Sequence, residues 1–257
     1  MKLSVTIITF NEEKNIQACI ESVKDVADEI IVIDSFSKDK TAEICKSYSK
    51  VKFIENSFAG HVEQKNFAIN QSNFEFILSL DADERLSEKL KEEIHQWKNE
   101  DTSEKDAYNM PRLNNYCGKW IRHSGWYPDR KIRLWNKNKG EWGGNNPHDK
   151  VIMNSDSTIG KLKGDILHYT TENLKTHLEQ VNKFSEIAAQ QLLNKNKGKS
   201  EYLKIYFNPP FTFFKRYILQ LGFLDGFYGF TIAIISAHAK FLKYAKFKQM
   251  RDQQSTK

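Results

Sequence analysis

The stretch Phe74-Glu75-Phe76-Ile77-Leu78-Ser79-Leu80-Asp81-Ala82-Asp83-Glu84 decides the fold of this chain. A short, mostly apolar run reads as a buried strand. It ends abruptly in acids, which packing alone does not require. The same pattern recurs upstream. Leu3 to Thr9 and Glu29 to Ile33 are β-rich runs that stop at Asn11-Glu12 and at Asp34, and Val51 to Ile54 is a third. Between these runs, Glu12 to Lys24 sets Ile16, Cys19, Ile20 and Val23 on one helical face, and 40–48 and 62–70 are also helical in pattern. Ser87 caps a further helix running to Trp97, with Glu residues in its first turns. Strands alternating with helices predict βαβ units: an α/β, Rossmann-like fold with a mainly parallel sheet and helices on both faces. From Ala107 to His168 the pattern changes to short strands and Gly, Asn and Pro turns, and Thr171 to Leu193 returns to helix.

Open α/β sheets bind ligands outside the carboxyl ends of their strands. Thr9, Asn11, Glu12, Asp34, Asp81 and Asp83 all fall there and gather carboxylates on one edge. Taken singly, Asn11 and Asp34 read as helix caps or turn formers. No G-x-G-x-x-G follows the first strand and no G-x-x-x-x-G-K-[ST] is present, so a phosphate at this edge needs another partner. Asp81-Ala82-Asp83 offers one, because Mg²⁺ takes one or two carboxylates together with substrate phosphates and waters.

The length of 257 residues suits one enzyme-sized domain with a C-terminal appendage. With 39% hydrophobic and 28% charged residues, the composition excludes collagen-like and wholly disordered chains. Cys19, Cys45 and Cys117 make no CxxC pair, so neither a disulfide framework nor a cysteine zinc site is expected, and a reducing cytosolic setting follows. Leu3 to Phe10 runs into Asn11-Glu12-Glu13 without a small-residue cleavage site and reads as a strand, not a signal segment.

The net charge of +6 is unevenly placed. From Lys195 onward there are 12 Lys/Arg against 3 Asp/Glu, which leaves 27 against 30 in the body. The segment from Glu201 to Met250 also holds 14 of the 32 aromatics. The expected division is therefore a domain at 1–194, with halves at 1–100 and 101–170, and a helical basic-aromatic extension at 195–257. Such material suits an anionic membrane surface. Lys240, Lys243, Lys246, Lys248 and Arg251 recur at roughly helical spacing and would meet headgroups. A helical hairpin packed on the body or on a second copy is the plain alternative. Tyr217 to Ala239 approaches the length of a membrane span, but Asp225, Gln220, His238 and three glycines favour lying on the surface. Nucleic acid is not expected, for no zinc module, RNP motif or basic zipper is present.

Four stretches taken together resemble the family 2 glycosyltransferases, inverting enzymes of the GT-A fold. They are Val5-Thr6-Ile7-Ile8-Thr9-Phe10-Asn11-Glu12, Ile31-Val32-Ile33-Asp34-Ser35-Phe36-Ser37-Lys38-Asp39-Lys40-Thr41, Gln64-Lys65-Asn66-Phe67-Ala68 and Leu80-Asp81-Ala82-Asp83-Glu84. Trp126-Tyr127-Pro128-Asp129-Arg130-Lys131-Ile132-Arg133-Leu134, His148-Asp149 and Gly164-Asp165-Ile166-Leu167-His168-Tyr169 resemble the branch containing bacterial lipopolysaccharide-core glucosyltransferases.

The resemblance implies a nucleotide site at Thr9, Asn11, Glu12, Asp34 and Lys65, with Asp81 near the ribose or donor sugar. It implies a divalent metal, Mg²⁺ or Mn²⁺, at Asp83, with His148 as a further ligand and His168 as its competitor. The donor implied is a UDP-sugar, UDP-glucose above all, and the acceptor a lipid-linked glycan at the cytoplasmic face of the inner membrane, reached through the C-terminal segment. Asp129 is the candidate base for the acceptor hydroxyl, flanked by Trp126 and Trp135 as sugar-stacking faces, and Asp149 stands in reserve. The branch usually has Glu where this chain has Asp149. Arg130, Lys131 and Arg133 would face a diphosphate or an anionic acceptor, or form a solvated basic strand. Transfer to polyisoprenyl phosphate and an inactive membrane-associated scaffold are the alternatives, and a homo-oligomer is left open.

Overall fold

The computed structural model describes residues 1–100, 104–145, 148–195 and 199–255. They form two compact units, Met1–Leu113 with Asp129–His168, and Asn114–Pro128 with Tyr169–Lys257. These units interleave along the chain. A segment inside the expected second half, 114–128, groups with the C-terminal helices, its Tyr116 and Ile121 packing with Ile232.

The first unit is built on a mixed sheet. Strands β1 (Leu3–Thr9), β2 (Glu29–Asp34), β3 (Val51–Glu55) and β4 (Phe76–Asp81) are joined by helices α1 (Ile16–Val23), α2 (Thr41–Lys46) and α3 (His61–Asn70). β3-β2-β1-β4 are mutually parallel, as the alternating pattern predicts. Side chains alternate across this sheet. Val5, Ile7, Ile30 and Val32 pack with Ile16, Cys19 and Ile20 of α1 and Cys45 of α2. Ile31 and Ile33 pack with Ala68 of α3 on the opposite face. The predicted two-sided burial follows, and it explains why these strands are apolar at nearly every position.

Beyond β4 come β5 (Glu84–Leu86), α4 (Glu88–Lys98), β6 (Ala107–Tyr116), β7 (Lys119–Ile121) and β8 (Asp129–Asn136). Strands β9 (Gly140–Asn145), β10 (His148–Met153), β11 (Ile159–Lys161) and β12 (Ile166–Thr171) follow. The sheet order continues β4-β8-β6-β12-β5, with β4–β8, β8–β6 and β12–β5 antiparallel, while β9 and β10 form a separate hairpin. A parallel half is thus followed by a mixed half. The three-residue β5 was not legible because its Glu84-Arg85-Leu86 carries no period. Residues 12–15 form a turn before α1, closed by the Asn15 and Ile16 amides donating to the Glu12 carbonyl at 2.9 Å.

Ser87 caps α4 as expected, its Oγ accepting from the Leu90 amide at 3.3 Å. The same hydroxyl accepts from the Asp165 amide at 3.0 Å. At Gly164 the chain passes so close to α4 that a Cβ would lie 2.3 Å from the Leu90 nitrogen, which is why glycine leads into β12.

The second unit contains α5 (Leu174–Asn194), α6 (Lys204–Phe214) and α7 (Gly226–Ser255). Lys246 of α7 donates to the Asn182 carbonyl of α5 at 2.7 Å, and Asn208 of α6 to the Tyr244 hydroxyl at 3.0 Å. Between α6 and α7 the chain turns through Lys215–Leu219 and Gly222–Asp225. Gly229 lies against that turn, where a Cβ would meet the Gly222 carbonyl at 1.8 Å. Asp225 is buried, accepting from the Arg122 and His123 amides at 3.2 and 2.8 Å and from the His123 ring at 3.1 Å.

No single described helix is long and apolar enough to cross a membrane. Glu201–Leu219 and Gly222–Gln254 meet the length and composition of a span only as a pair, bent by 71°. Leu203, Tyr206, Phe207, Phe211, Leu219, Leu224 and Phe227 are all exposed. Of the expected basic row, Lys246 is engaged by Asn182 and Lys248 by Asp252 at 2.6 Å.

Candidate active site

The parallel register sets the first site residues side by side. Thr9 pairs with Asp34, and Ile8 with Asp81, so three strands end level with one another. Asp34 is fully buried, and its carboxylate accepts from both the amide and the hydroxyl of Ser37. Asn11 sits at φ 55°, the left-handed region that asparagine tolerates. Its side chain accepts from the Lys38 amide at 2.8 Å, and the Glu12 amide donates to the Thr41 hydroxyl at 2.8 Å. Asn11, Glu12 and Asp34 therefore knit the loops after β1 and β2 together. The Thr9 hydroxyl is buried with no hydrogen-bond partner among the described residues.

Each residue of Gln64-Lys65-Asn66 on α3 has a separate task. Gln64 donates to the Ser35 hydroxyl at 3.1 Å, steadying the loop after β2. Asn66 grips the backbone of Trp142, donating to its carbonyl at 2.8 Å and accepting from its amide at 3.0 Å, which docks the β9–β10 hairpin on the helix. Lys65, buried between them, lies 2.9 Å from Asp81 Oδ1 and 2.8 Å from Asp149 Oδ2. Its ammonium also sits 4.2 Å from the Trp142 ring centroid, a cation–π distance.

Arg133 of β8 completes the cluster. Its Nη2 donates to Glu84 Oε1 at 2.8 Å and to Asp81 Oδ2 at 3.3 Å, and the guanidinium lies 5.0 Å from the same Trp142 ring. Burial opposes the charge on Arg133, but Glu84, Asp81 and Asp149 raise its pKa above the ordinary arginine value. Burial likewise opposes ionisation of Asp81, yet Lys65 and Arg133 outweigh it and hold that carboxyl well below the usual range. Among the described residues, Arg133 Nε, Arg133 Nη1 and Trp142 Nε1 are buried and make no hydrogen bond.

These side chains line a cavity of about 500 Å³. Lys65, Arg112, Arg130, Lys131, Arg133 and Lys150 supply its positive charge, Asp81 and Asp149 its negative, and Ile132, Trp142 and Val151 the apolar wall.

Asp129, the expected base, is held by Arg112 at 2.8 Å and Lys131 at 3.0 Å. Burial raises its pKa, and those two cations, Arg112 first, bring it below the ordinary carboxylate value. Asp149, the reserve, lines the cavity beside Asp81. Trp135 is no stacking face: it is fully buried, with Nε1 donating to the Gly140 carbonyl at 3.0 Å. Trp126 packs edge-on against Tyr116 in the second unit. Trp142 is the tryptophan of the cavity, and nothing in the periodicity of Glu141-Trp142-Gly143-Gly144 distinguished it. Glu84 was also missed as a functional residue, since a fully buried acid announces itself only through its arginine partners.

The antiparallel pairing of His168 with Glu84 brings the His168 ring to Asp83, Nε2 to Oδ2 at 3.2 Å. His148 opens β10, and its side chain lies outside the described ones. Among the described residues no group of three or more His, Cys, Asp or Glu side chains is placed to hold a metal ion. One partly exposed carboxylate beside an imidazole nevertheless fits a divalent cation that completes its shell with substrate oxygens and water.

Comparison with known proteins adds to this geometry. Residues 4–159 match the family description "Glycosyl transferase family 2". An uncharacterized glycosyltransferase of Rickettsia typhi (strain ATCC VR-144 / Wilmington) is 33% identical over 97% of this chain and 87% of its own length. The lipopolysaccharide core biosynthesis glycosyltransferase LpsC of Rhizobium meliloti (strain 1021) is 29% identical over 97% of this chain and 93% of its own length. Among solved structures, S. aureus TarS 1-349 is similar at a TM-score of 0.47 and 15% identity, covering 98% of this chain and 92% of that one.

Proposed function

The chain belongs to glycosyl transferase family 2, and from that premise we propose that it moves a hexose, glucose from UDP-glucose, onto a hydroxyl of a lipid-linked glycan with inversion at the anomeric carbon. Similarity to LpsC over nearly the whole of both chains supports lipopolysaccharide core or a related cell-surface glycan as the product. The observation that carries the reading is the cavity in which Lys65 joins Asp81 to Asp149 beside Arg133, at the carboxyl end of β4.

In this proposal Asp81 and the loops tied by Asn11, Glu12 and Asp34 hold the nucleotide, while Lys65 and Arg133 keep Asp81 ionised and fixed. Asp83 and His168 would hold a Mg²⁺ or Mn²⁺, which when bound supplies positive charge against the departing diphosphate. Asp149 takes the acceptor proton, in preference to Asp129. It lies on the cavity and is engaged through one oxygen by Lys65, whereas Asp129 is bound by two cations that lower its basicity. Asp129 then serves to position Arg112 and Lys131. Trp142, buried with Lys65 and Arg133 against its ring, walls the cavity and limits water.

The second unit is proposed to lie on the cytoplasmic face of the inner membrane. Its support is the exposed aromatic set about the 71° bend, carried on a segment rich in lysine. Asp225, sequestered by the 122–123 amides, does not oppose such contact.

The test is thermal unfolding with a panel of nucleoside diphosphates and UDP-sugars, with and without Mn²⁺. At about 100 times its dissociation constant a ligand adds roughly 2.7 kcal/mol to the native state. A UDP-sugar with Mn²⁺ should raise the midpoint, and Asp83→Asn should lose the Mn²⁺-dependent part. No response to any nucleotide in a folded sample would overturn the reading. Product analysis would separate a glycan acceptor from polyisoprenyl phosphate.

A further inference from the structure

The cavity holds more positive charge than its own acids match. Arg112 and Lys131 share Asp129, Lys65 shares Asp81 and Asp149, and Arg133 shares Asp81 and Glu84. Among the described residues Arg130 donates only to neutral oxygens, the Asn109 side chain at 3.0 Å, the Asn109 carbonyl at 3.5 Å and the Leu162 carbonyl at 3.1 Å. Lys150, exposed at the cavity, makes no ion pair among the described residues. Deeper in, Arg133 is 97% buried, with Nε and Nη1 unpartnered on the cavity wall, and Trp142 Nε1 is in the same state. Unsatisfied buried donors of this kind are costly unless a ligand accepts from them. Cations and orphan donors converging on one cavity make an oxyanion site.

Two sources could bring that oxyanion: the donor's diphosphate or the acceptor. The proposed reading, on which this inference rests, places a divalent cation at Asp83 and His168 to match the diphosphate. That leaves Arg130 and Lys150 without a counter-charge. Arg112, Arg130 and Lys131 also lie on β6 and β8 around Asp129, in the mixed half of the sheet and away from the loops after β1 and β2. We infer that this cluster binds an anionic acceptor, one bearing a phosphate beside the hydroxyl that is glycosylated, with Arg130 and Lys150 at the mouth and the free edge of Arg133 at the base.

The experiment uses the full chain saturated with UDP and Mn²⁺, to which glucose 6-phosphate, glucose or inorganic phosphate is added, with KCl matching ionic strength. Binding is followed by calorimetry and by thermal unfolding. Glucose 6-phosphate should bind on top of UDP and raise the midpoint further, inorganic phosphate should bind more weakly, and glucose should do nothing. Arg130→Ala with Lys150→Ala, both at exposed positions, should weaken glucose 6-phosphate roughly tenfold while leaving UDP affinity unchanged. Displacement of UDP by glucose 6-phosphate would assign the oxyanion site to the donor and overturn the inference. So would an added effect no larger than that of KCl. Failure of UDP itself to bind would instead strike the transferase reading, so the two failures are distinguishable.

Discussion

Lys65 Nζ stands 2.8 Å from Asp149 Oδ2, joining a helix of the parallel half to the hairpin that carries the proposed base. The same ammonium is 2.9 Å from Asp81, so one buried cation holds together two carboxylates that would otherwise repel. Its neighbours Gln64 and Asn66 fix the helix on either side, through Ser35 and Trp142.

Lys65→Met should therefore cost about 3 kcal/mol, because it leaves the partly buried Asp149 without its cation and Asp81 with Arg133 alone. The double variant Lys65→Met with Asp149→Asn should recover part of that loss. Urea unfolding at pH 7 checks both. An additive double variant would show that the residues act independently.

A second prediction concerns the turn between α6 and α7. Asp225→Ala would strand the Arg122 and His123 amides, which donate to it at 3.2 and 2.8 Å. The expected loss is about 2 kcal/mol, with Asp225→Asn milder because one oxygen remains as an acceptor. Denaturant titration of the full chain reads this directly, and an unchanged midpoint in the alanine variant would remove Asp225 from its role as a clamp.

Much of this architecture was legible beforehand, for identifiable reasons. Leu3 to Thr9, Glu29 to Ile33 and Phe74 to Leu80 are apolar on both faces because helices cover both, so their identity as strands showed in composition alone. Asp81 and Asp83 stood out by ending such a strand. What hid was long-range pairing. Nothing local joins His168 to Asp83, which meet through the β5–β12 register, or Asp149 to Lys65, 84 residues away. The exchange of Trp135 for Trp142 has the same origin, since both look alike in sequence and only the hairpin's docking decides which one meets the cavity. The grouping of 114–128 with 169–257 is likewise a long-range relation that no local pattern announces.

Stability should depend on pH through Asp28. Burial opposes its ionisation, but Lys98 at 2.6 Å, the Leu3 amide at 2.8 Å and Lys2 at 3.0 Å hold the carboxyl at about 2. A folded pKa below the unfolded value gives stability that is full above about pH 4 and lost as pH falls through about 2. Asp28→Asn should be less stable than the parent by roughly 2 kcal/mol at pH 7. That gap should close in the acid window, as seen in unfolding curves collected from pH 7 downward. A gap constant with pH would rule out the ionised carboxylate as its source.

Membrane contact predicts co-sedimentation with vesicles containing phosphatidylglycerol and much less with neutral phosphatidylcholine vesicles. Phe207 and Phe227 are 70% and 68% exposed. Replacing both with Ser should lower vesicle binding at least tenfold, at about 2 kcal/mol per inserted ring, without lowering the thermal midpoint. Unchanged binding would move the contact elsewhere on the chain.

The most direct test of the central claim needs no acceptor. A glycosyltransferase slowly passes its sugar to water, and proton NMR shows which anomer of the released glucose appears first. With UDP-glucose, whose glucosyl bond is α, the account predicts that β-glucose appears before mutarotation and that Asp149→Asn suppresses its formation while still binding UDP. First appearance of α-glucose, or full turnover in the Asp149→Asn variant, would contradict inversion with Asp149 as the base.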